Sequence, residues 1–308
     1  MVVSATHRGI VKAHPGALDG LSSHLRNSAH LAAGFTPHPE FDMTYQGGRT
    51  IPKLKFKSFY LNGAKWNNAD IANIDRALPG AMTDKPLNKV LLQYFPGHAS
   101  ISTKFLGSQK VTVKLPKTFT RDHVNPVLQS LLTAGKLKDV DNNTVVCLLL
   151  PAGVILNTNA HGGVGKLKGD DSEESSLEGL GGYHGSAHVG DRVICFAVGV
   201  YSQETPKLRN GIPFWPDPWK NIVATFYHEL NEARTDPDVE EFNRTHQPGL
   251  IGWYADVDGG GEIGDIPMNE AGPSLGLVMT EVKLAAGGTA PIQLMWSNAV
   301  HGPQGPIA

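Results

Sequence analysis

The chain has 308 residues, 40% of them hydrophobic and 18% charged, with 27 basic against 29 acidic side chains and a net charge of -2. That length is enough to bury a sizeable core in one large domain or two small ones, and the balanced charge without a basic stripe argues against a nucleic-acid partner. No run of eighteen apolar residues occurs, so no membrane span is expected.

Residues 1–42 are rich in His, Ser, Gly and Ala and read as an N-terminal arm, extended or partly ordered, with a weak helical signal at 18–33. The first twenty residues lack the sustained apolar region of a signal or transit peptide. From residue 43 to 308 the pattern is that of one domain. Residues 54–61 alternate like a strand, 68–78 have a helical period, 89–94 are apolar and read as helix or strand, and 110–115 alternate like a strand. Residues 121–134 carry a helical pattern after Thr120, a good N-cap. The continuous apolar runs 145–150 and 193–200 suit strands buried on both faces. Each holds one cysteine, Cys147 or Cys195, expected as buried free thiols, with a bridge left open if the two strands are neighbours. Between these runs, residues 166–178 are polar and acidic like a surface loop. The GGVGK at 162–166 lacks the first glycine and the final Ser or Thr of a phosphate loop. This order of elements predicts a single α/β (or α+β) domain with a mixed central sheet and one functional helix packed on it.

That helix is the most informative element. Pro218 suits a first turn, and Ile222, Phe226, Leu230 and Ala233 draw an apolar stripe. At about 100° per residue, His228, Glu232 and Thr235 fall on the opposite face beside Ala224 and Thr225, with Glu229 between the two faces. Zinc hydrolases hold their metal with HExxH, two ligands four apart on one helix face and a Glu next to the first that activates water. Here the second ligand position is Glu232, and a carboxylate is an accepted zinc ligand. The loop GWYADVDGGGEIGDIP, residues 252–267, then delivers Glu262 and Asp265 after three glycines. A calcium loop through Asp256, Asp258 and Glu262 is the alternative for this segment. His184 and His188, in GGYHGSAH just before a buried run, are further candidates for a ligand or an oxyanion donor.

HELNEARTDP, followed by GWY, GEIGD and QLMWSN, resembles the bacterial and fungal branch of the phosphate-induced protein 1 family, which is similar to the plant EXORDIUM proteins. TYQGGRTIPKLKFKSFYLNGAKW, DNNTVVCLLLPAGV and GGYHGSAHVGDRVICFAVGVY extend the resemblance over roughly residues 43–300. It implies secretion, with a cytoplasmic location as the alternative. Where the family usually carries cysteines before GYH and after GEIGD, this chain has Gly181 and Pro267, which implies that one family disulfide is missing as a unit.

These residues predict a metal-dependent hydrolase of peptide or amide bonds. The expected ion is zinc, with calcium as the alternative, and the expected partner is a peptide or protein substrate. His228, Glu232 and Glu262 are the expected ligands, with Asp265 or Asp238 as alternatives for the third. Asp265 is expected to accept the free ring N–H of His228, and Asp236 to stand with it behind the ligands. Glu229 is the expected base, and His184 or Tyr254 the expected oxyanion donor. Two other readings stay open: a secreted or wall-associated binding module with a structural metal, and a glycosidase pairing Glu229 with Glu262.

Overall fold

The computed structural model describes residues 30–158, 175–247, 249–257 and 261–307. The GGVGK segment, most of the acidic stretch and Asp258 lie outside the described residues, as does the weak helical signal up to residue 29.

In chain order the main elements are β1 (Lys53–Leu61), α1 (Asn68–Thr83), β2 (Ser102–Val111), α2 (Val124–Thr133), β3 (Thr144–Leu149), β4 (Gly182–Val189), β5 (Arg192–Gly199) and α3 (Pro218–Thr235). They are followed by α4 (Val239–Thr245), α5 (Asp265–Ala271) and the hairpin β6 (Met279–Lys283) with β7 (Thr289–Gln293). The first five strands form one mixed sheet in the order β2-β1-β3-β5-β4. β1 is parallel to β2 and β3, β3 is parallel to β5, and only β4 runs antiparallel to its neighbour β5. The fold is therefore α/β with a mixed central sheet.

Strand alternation sorts the apolar residues into two cores. Val145, Cys147 and Leu149 of β3 face α1 and α3 and pack with Ile74, Ala77, Phe226 and Leu230, whereas Val146 and Leu148 face α2 and pack with Val127, Leu128 and Leu131. Because both faces are covered, every residue of β3 is buried, as its continuous apolar run requires. Cys147 and Cys195 are buried free thiols on adjacent strands, with Cys147 opposite Ala197 and Cys195 opposite Val145. Helix α3 lies between the sheet and the β6–β7 hairpin, a position that buries both of its faces. The N-terminal segment is docked where it is described, with Ala32 N donating to Pro303 O at 2.9 Å and His38 N to His301 O at 2.7 Å.

One local expectation changes and two are refined. The strand expected at 110–115 is instead the last stretch of β2 plus a strandless segment. Its alternation arises because Val111, Val113 and Leu115 all pack against the second core, although only Val111, opposite Leu61, is in the ladder. Residues 89–94 form a 3-10 helix, Lys89–Tyr94. The pattern at 121–134 opens with a 3-10 turn, Arg121–His123, in which Thr120 N donates to His123 Nδ1 at 3.0 Å, before α2 begins.

Candidate metal centre

Helix α3 starts with Pro218 in its first turn and stops at Thr235, two residues before Pro237. Its stripe of Ile222, Phe226, Leu230 and Ala233 is at most 1% exposed, yet Glu229 and Glu232 are also only 4% and 2% exposed. Carboxylates that deep must find compensating partners.

Glu232 finds them through both oxygens. Its Oε1 accepts the backbone N–H groups of Gly264 at 3.1 Å and Asp265 at 3.2 Å, at the start of α5. Its Oε2 is left facing His228 Nε2 at 3.0 Å, and Asp265 Oδ1 lies 3.5 Å from the same nitrogen. The other nitrogen of that ring, Nδ1, is 2.9 Å from Gln293 Oε1 at the end of β7. Gln293 Nε2 donates to Gly264 O at 2.6 Å, so its Oε1 is the atom that accepts from His228. The ring therefore carries a proton on Nδ1, and Nε2 is the nitrogen turned toward Glu232 and Asp265. Gly264 permits this approach, since a Cβ there would fall on the imidazole and lie 2.9 Å from Glu232 Oε1.

A second imidazole enters from β4. His184 is 3% exposed, with Nδ1 at 3.4 Å from Glu229 Oε2 and 3.5 Å from Glu232 Oε2. Its Nε2 lies 3.0 Å from the Asp236 carbonyl and 3.3 Å from Glu262 Oε1. The close approach of β4 to α3 depends on Gly182, where a Cβ would meet Val198 O at 2.6 Å and Glu229 Oε1 at 2.9 Å. Two groups of metal-compatible donors result, His228–Glu232–Asp265 and His184–Glu232–Glu262, each with ligand atoms within 4.8 Å of one another.

The electrostatics follow from this crowding. Burial alone would raise the Glu232 pKa, but His228 and His184 overcome it and hold the carboxylate low, at about 2. Burial would likewise favour neutral imidazoles, yet the surrounding acids raise both His184 and His228 well above the usual range. Burial pushes Glu229 up against the opposing pull of the two histidines, raises Glu262 strongly, and lifts Asp236 to about 7 and Asp265 to about 8.

Both groups open on a cleft of about 490 Å³, lined also by Arg121, Thr225, Ile212, Met268, Asn269 and Met279. The residues singled out in the sequence divide accordingly. His228, Glu229, Glu232, Glu262, Asp265 and His184 converge on the cleft. Asp265 does not accept the free ring N–H of His228, because Gln293 takes that nitrogen and Asp265 stands on the ligand side. Glu262 stands beside His184 instead of His228. His184 is no free oxyanion donor, since both its nitrogens are already engaged. Tyr254 lies outside the cleft lining and pairs through its backbone with Thr44, with burial pushing its hydroxyl up to about 12. Asp236 accepts Gly252 N at 3.1 Å and offers its carbonyl to His184, while Asp238 is bound by Arg49 at 3.1 Å. His188 sits at the end of β4 next to the turn into β5, its side chain 61% exposed and its Nε2 3.7 Å from Glu241 Oε1, and Asp256 is exposed. Gln293 was not legible in the sequence, for a glutamine in a plain strand carries no ligand signature.

No protein-family model and no curated protein matches the chain. Among solved structures, metalloproteinase-II from Bacteroides fragilis matches at 12% identity with a TM-score of 0.28, over 67% of this chain and 48% of that one. The chain thus spans about half the length of that protein, and so loose a superposition defines no shared fold.

Proposed function

We propose that this protein is a metal-dependent hydrolase of peptide or amide bonds, in which His228, Glu232 and Asp265 hold one divalent ion and Glu229 is the general base. The reading rests on one observation above all. The donors are arranged in advance: Gln293 sets the His228 tautomer, and two amides hold Glu232 Oε1 so that Oε2 and Nε2 point to one place. One imidazole nitrogen with two carboxylate oxygens suits zinc, and the imidazole counts against calcium, which takes oxygen ligands. The resemblance to the phosphate-induced protein 1 family is part of the same proposal.

When bound, such an ion polarises a carbonyl and acidifies water. The chain's own groups do the rest. Glu229, raised by burial, takes a proton from the attacking water at its carboxylate and passes it to the leaving amine, a role that favours a base poised toward neutrality. His184 Nδ1 lies 3.4 Å from Glu229 Oε2. Arg121 brings the one guanidinium to the described cleft lining, a group suited to developing negative charge or to a substrate carboxylate. The glycosidase alternative is poorly served, because the His184 ring stands between Glu229 and Glu262, within 3.4 Å of one and 3.3 Å of the other. A sugar would need that space.

Elemental analysis of the purified protein, paired with cleavage of a mixed peptide library, tests the proposal. Wild type should retain metal and cleave. Glu229→Gln should retain metal and melting temperature but lose at least about a hundredfold in rate, the lower end of general-base contributions. Metal below about a tenth of an equivalent after zinc is supplied would refute it, because a three-ligand site should hold its ion tightly.

A further inference from the structure

Building on that reading, we infer that the cleft holds two divalent cations, the second bound by His184, Glu232 and Glu262, with Glu232 Oε2 shared between the two sites. The first observation is the sharing itself. The two donor groups are distinct in their histidine and their third acid and have only Glu232 in common. Glu232 Oε1 is committed to the amides of Gly264 and Asp265, so the atom both groups meet is Oε2. It lies 3.0 Å from His228 Nε2 and 3.5 Å from His184 Nδ1. One oxygen flanked by two imidazole nitrogens is the arrangement of a single-atom carboxylate bridge, and paired catalytic ions sit about 3.5 to 4 Å apart.

The second observation is the tautomer of His184. Its Nε2 lies 3.0 Å from the carbonyl oxygen of Asp236, which can only accept. Nε2 therefore keeps a proton, and Nδ1 is the nitrogen turned toward Glu232 that an ion can take in exchange for its proton. This repeats the logic of His228, whose proton is placed by Gln293: each ring is fixed by a carbonyl acceptor on one nitrogen and bares the other.

Glu262 supplies the third observation. Its side chain is 13% exposed, and its buried Oε1 makes no hydrogen bond although it lies 3.3 Å from His184 Nε2. An orphaned carboxylate oxygen at such depth is costly, and the costs compound where Glu229, Glu232, Glu262, Asp236 and Asp265 crowd round two imidazoles. Arg121 is the only lysine or arginine in the described cleft lining, and Arg49 is engaged with Asp238. A single ion held by His228, Glu232 and Asp265 leaves Glu262 outside its donor group, and a second ion at His184 is the partner that this oxygen can take. The arrangement leaves Glu229 beside the second site, its Oε2 3.4 Å from His184 Nδ1.

Metal-stripped protein titrated with zinc, by calorimetry against a competing chelator and by elemental analysis after desalting, separates the outcomes. Two equivalents in wild type and one in His184→Ala or Glu262→Gln support the pair of sites, with circular dichroism showing that the variants are folded. Should His184→Ala not fold, Glu262→Gln and a cobalt titration of wild type carry the test. Cobalt's spin signal should grow to one equivalent and then weaken as the second ion couples to the first through Glu232. Saturation at one equivalent in wild type, or a cobalt signal that grows linearly to saturation, overturns the second site and leaves the single-ion hydrolase standing. Saturation at none overturns the hydrolase reading itself.

Discussion

Gln293→Leu removes the group that places the His228 proton while nearly keeping the side-chain volume. Gln293 is 2% exposed, accepts from His228 Nδ1 at 2.9 Å and donates to Gly264 O at 2.6 Å. Leucine there leaves a buried ring N–H and a buried carbonyl without partners, each costing about 1–3 kcal/mol, so the metal-free protein should lose roughly 2–6 kcal/mol in a denaturant titration. The metal loses more specifically. With no acceptor at Nδ1 the ring is free to flip or change tautomer, and the loss of such supporting partners weakens metal affinity by about 10- to 100-fold, or about 1.4–2.7 kcal/mol. Competition with a chromophoric chelator at neutral pH measures the affinity, and calorimetric unfolding in excess chelator measures the fold separately. A folded Gln293→Leu protein that binds zinc within about twofold of wild type would mean that His228 is no ligand or is oriented by something else, and the site as described would be wrong.

Gly264→Ala should strip metal for a steric reason, because its Cβ lands on the His228 ring and lies 2.9 Å from Glu232 Oε1; elemental analysis showing full metal content would refute that geometry. The metal-free protein should also lose stability as pH rises from about 4 to 8. Asp236 and Asp265 have folded pKa values lifted by burial from 3.8 to about 7 and about 8, so over that window the folded state holds protons that the unfolded state has released, and each step of pH favours unfolding. For the fully buried Asp236 this amounts to roughly 4 kcal/mol. His184 and His228, raised above 6.5, act in the same direction: their contribution is complete below about pH 6.5 and is lost as pH climbs through their folded values. Zinc displaces those protons, so its stabilisation should be larger at pH 8 than at pH 5. Melting temperatures measured with and without zinc across this range check both signs, and a metal-free protein that gains stability toward pH 8 would contradict the burial of these acids.

Legibility in the sequence follows burial and locality. β3 and β5 stand out because central strands covered on both faces must be continuously apolar, as Val145 and Val198 and their neighbours are. β2 is the sheet's edge strand and only partly buried, so its sequence STKFLGSQKV shows neither a run nor a clean alternation. GGYHGSAHV reads as the lead-in to a buried strand, yet from Gly182 it is itself the antiparallel edge strand β4, because its glycines and histidines disguise its strand character. In helix α3 the stripe was legible, but not that the polar face is buried as well, because the β6–β7 hairpin that covers it comes about fifty residues later.

The sequence alone determines that His228 and Glu232 share one side of a helix with Glu229 beside them, because a period of 3.6 residues is a local property of the backbone. It brings Glu262 and Asp265 near by a glycine turn but cannot say which acid meets which histidine, as three residues of a turn allow either. Tertiary structure decides that. The start of α5 gives its amides to Glu232 Oε1 and sets Asp265 beside His228, β7 delivers Gln293 to the far side of the ring, and β4 inserts His184 between Glu262 and the helix acids. These choices depend on strands and turns far apart in sequence settling against one helix, and only the packing of both its faces brings the oxygens and nitrogens to within about 3.5 Å of one another.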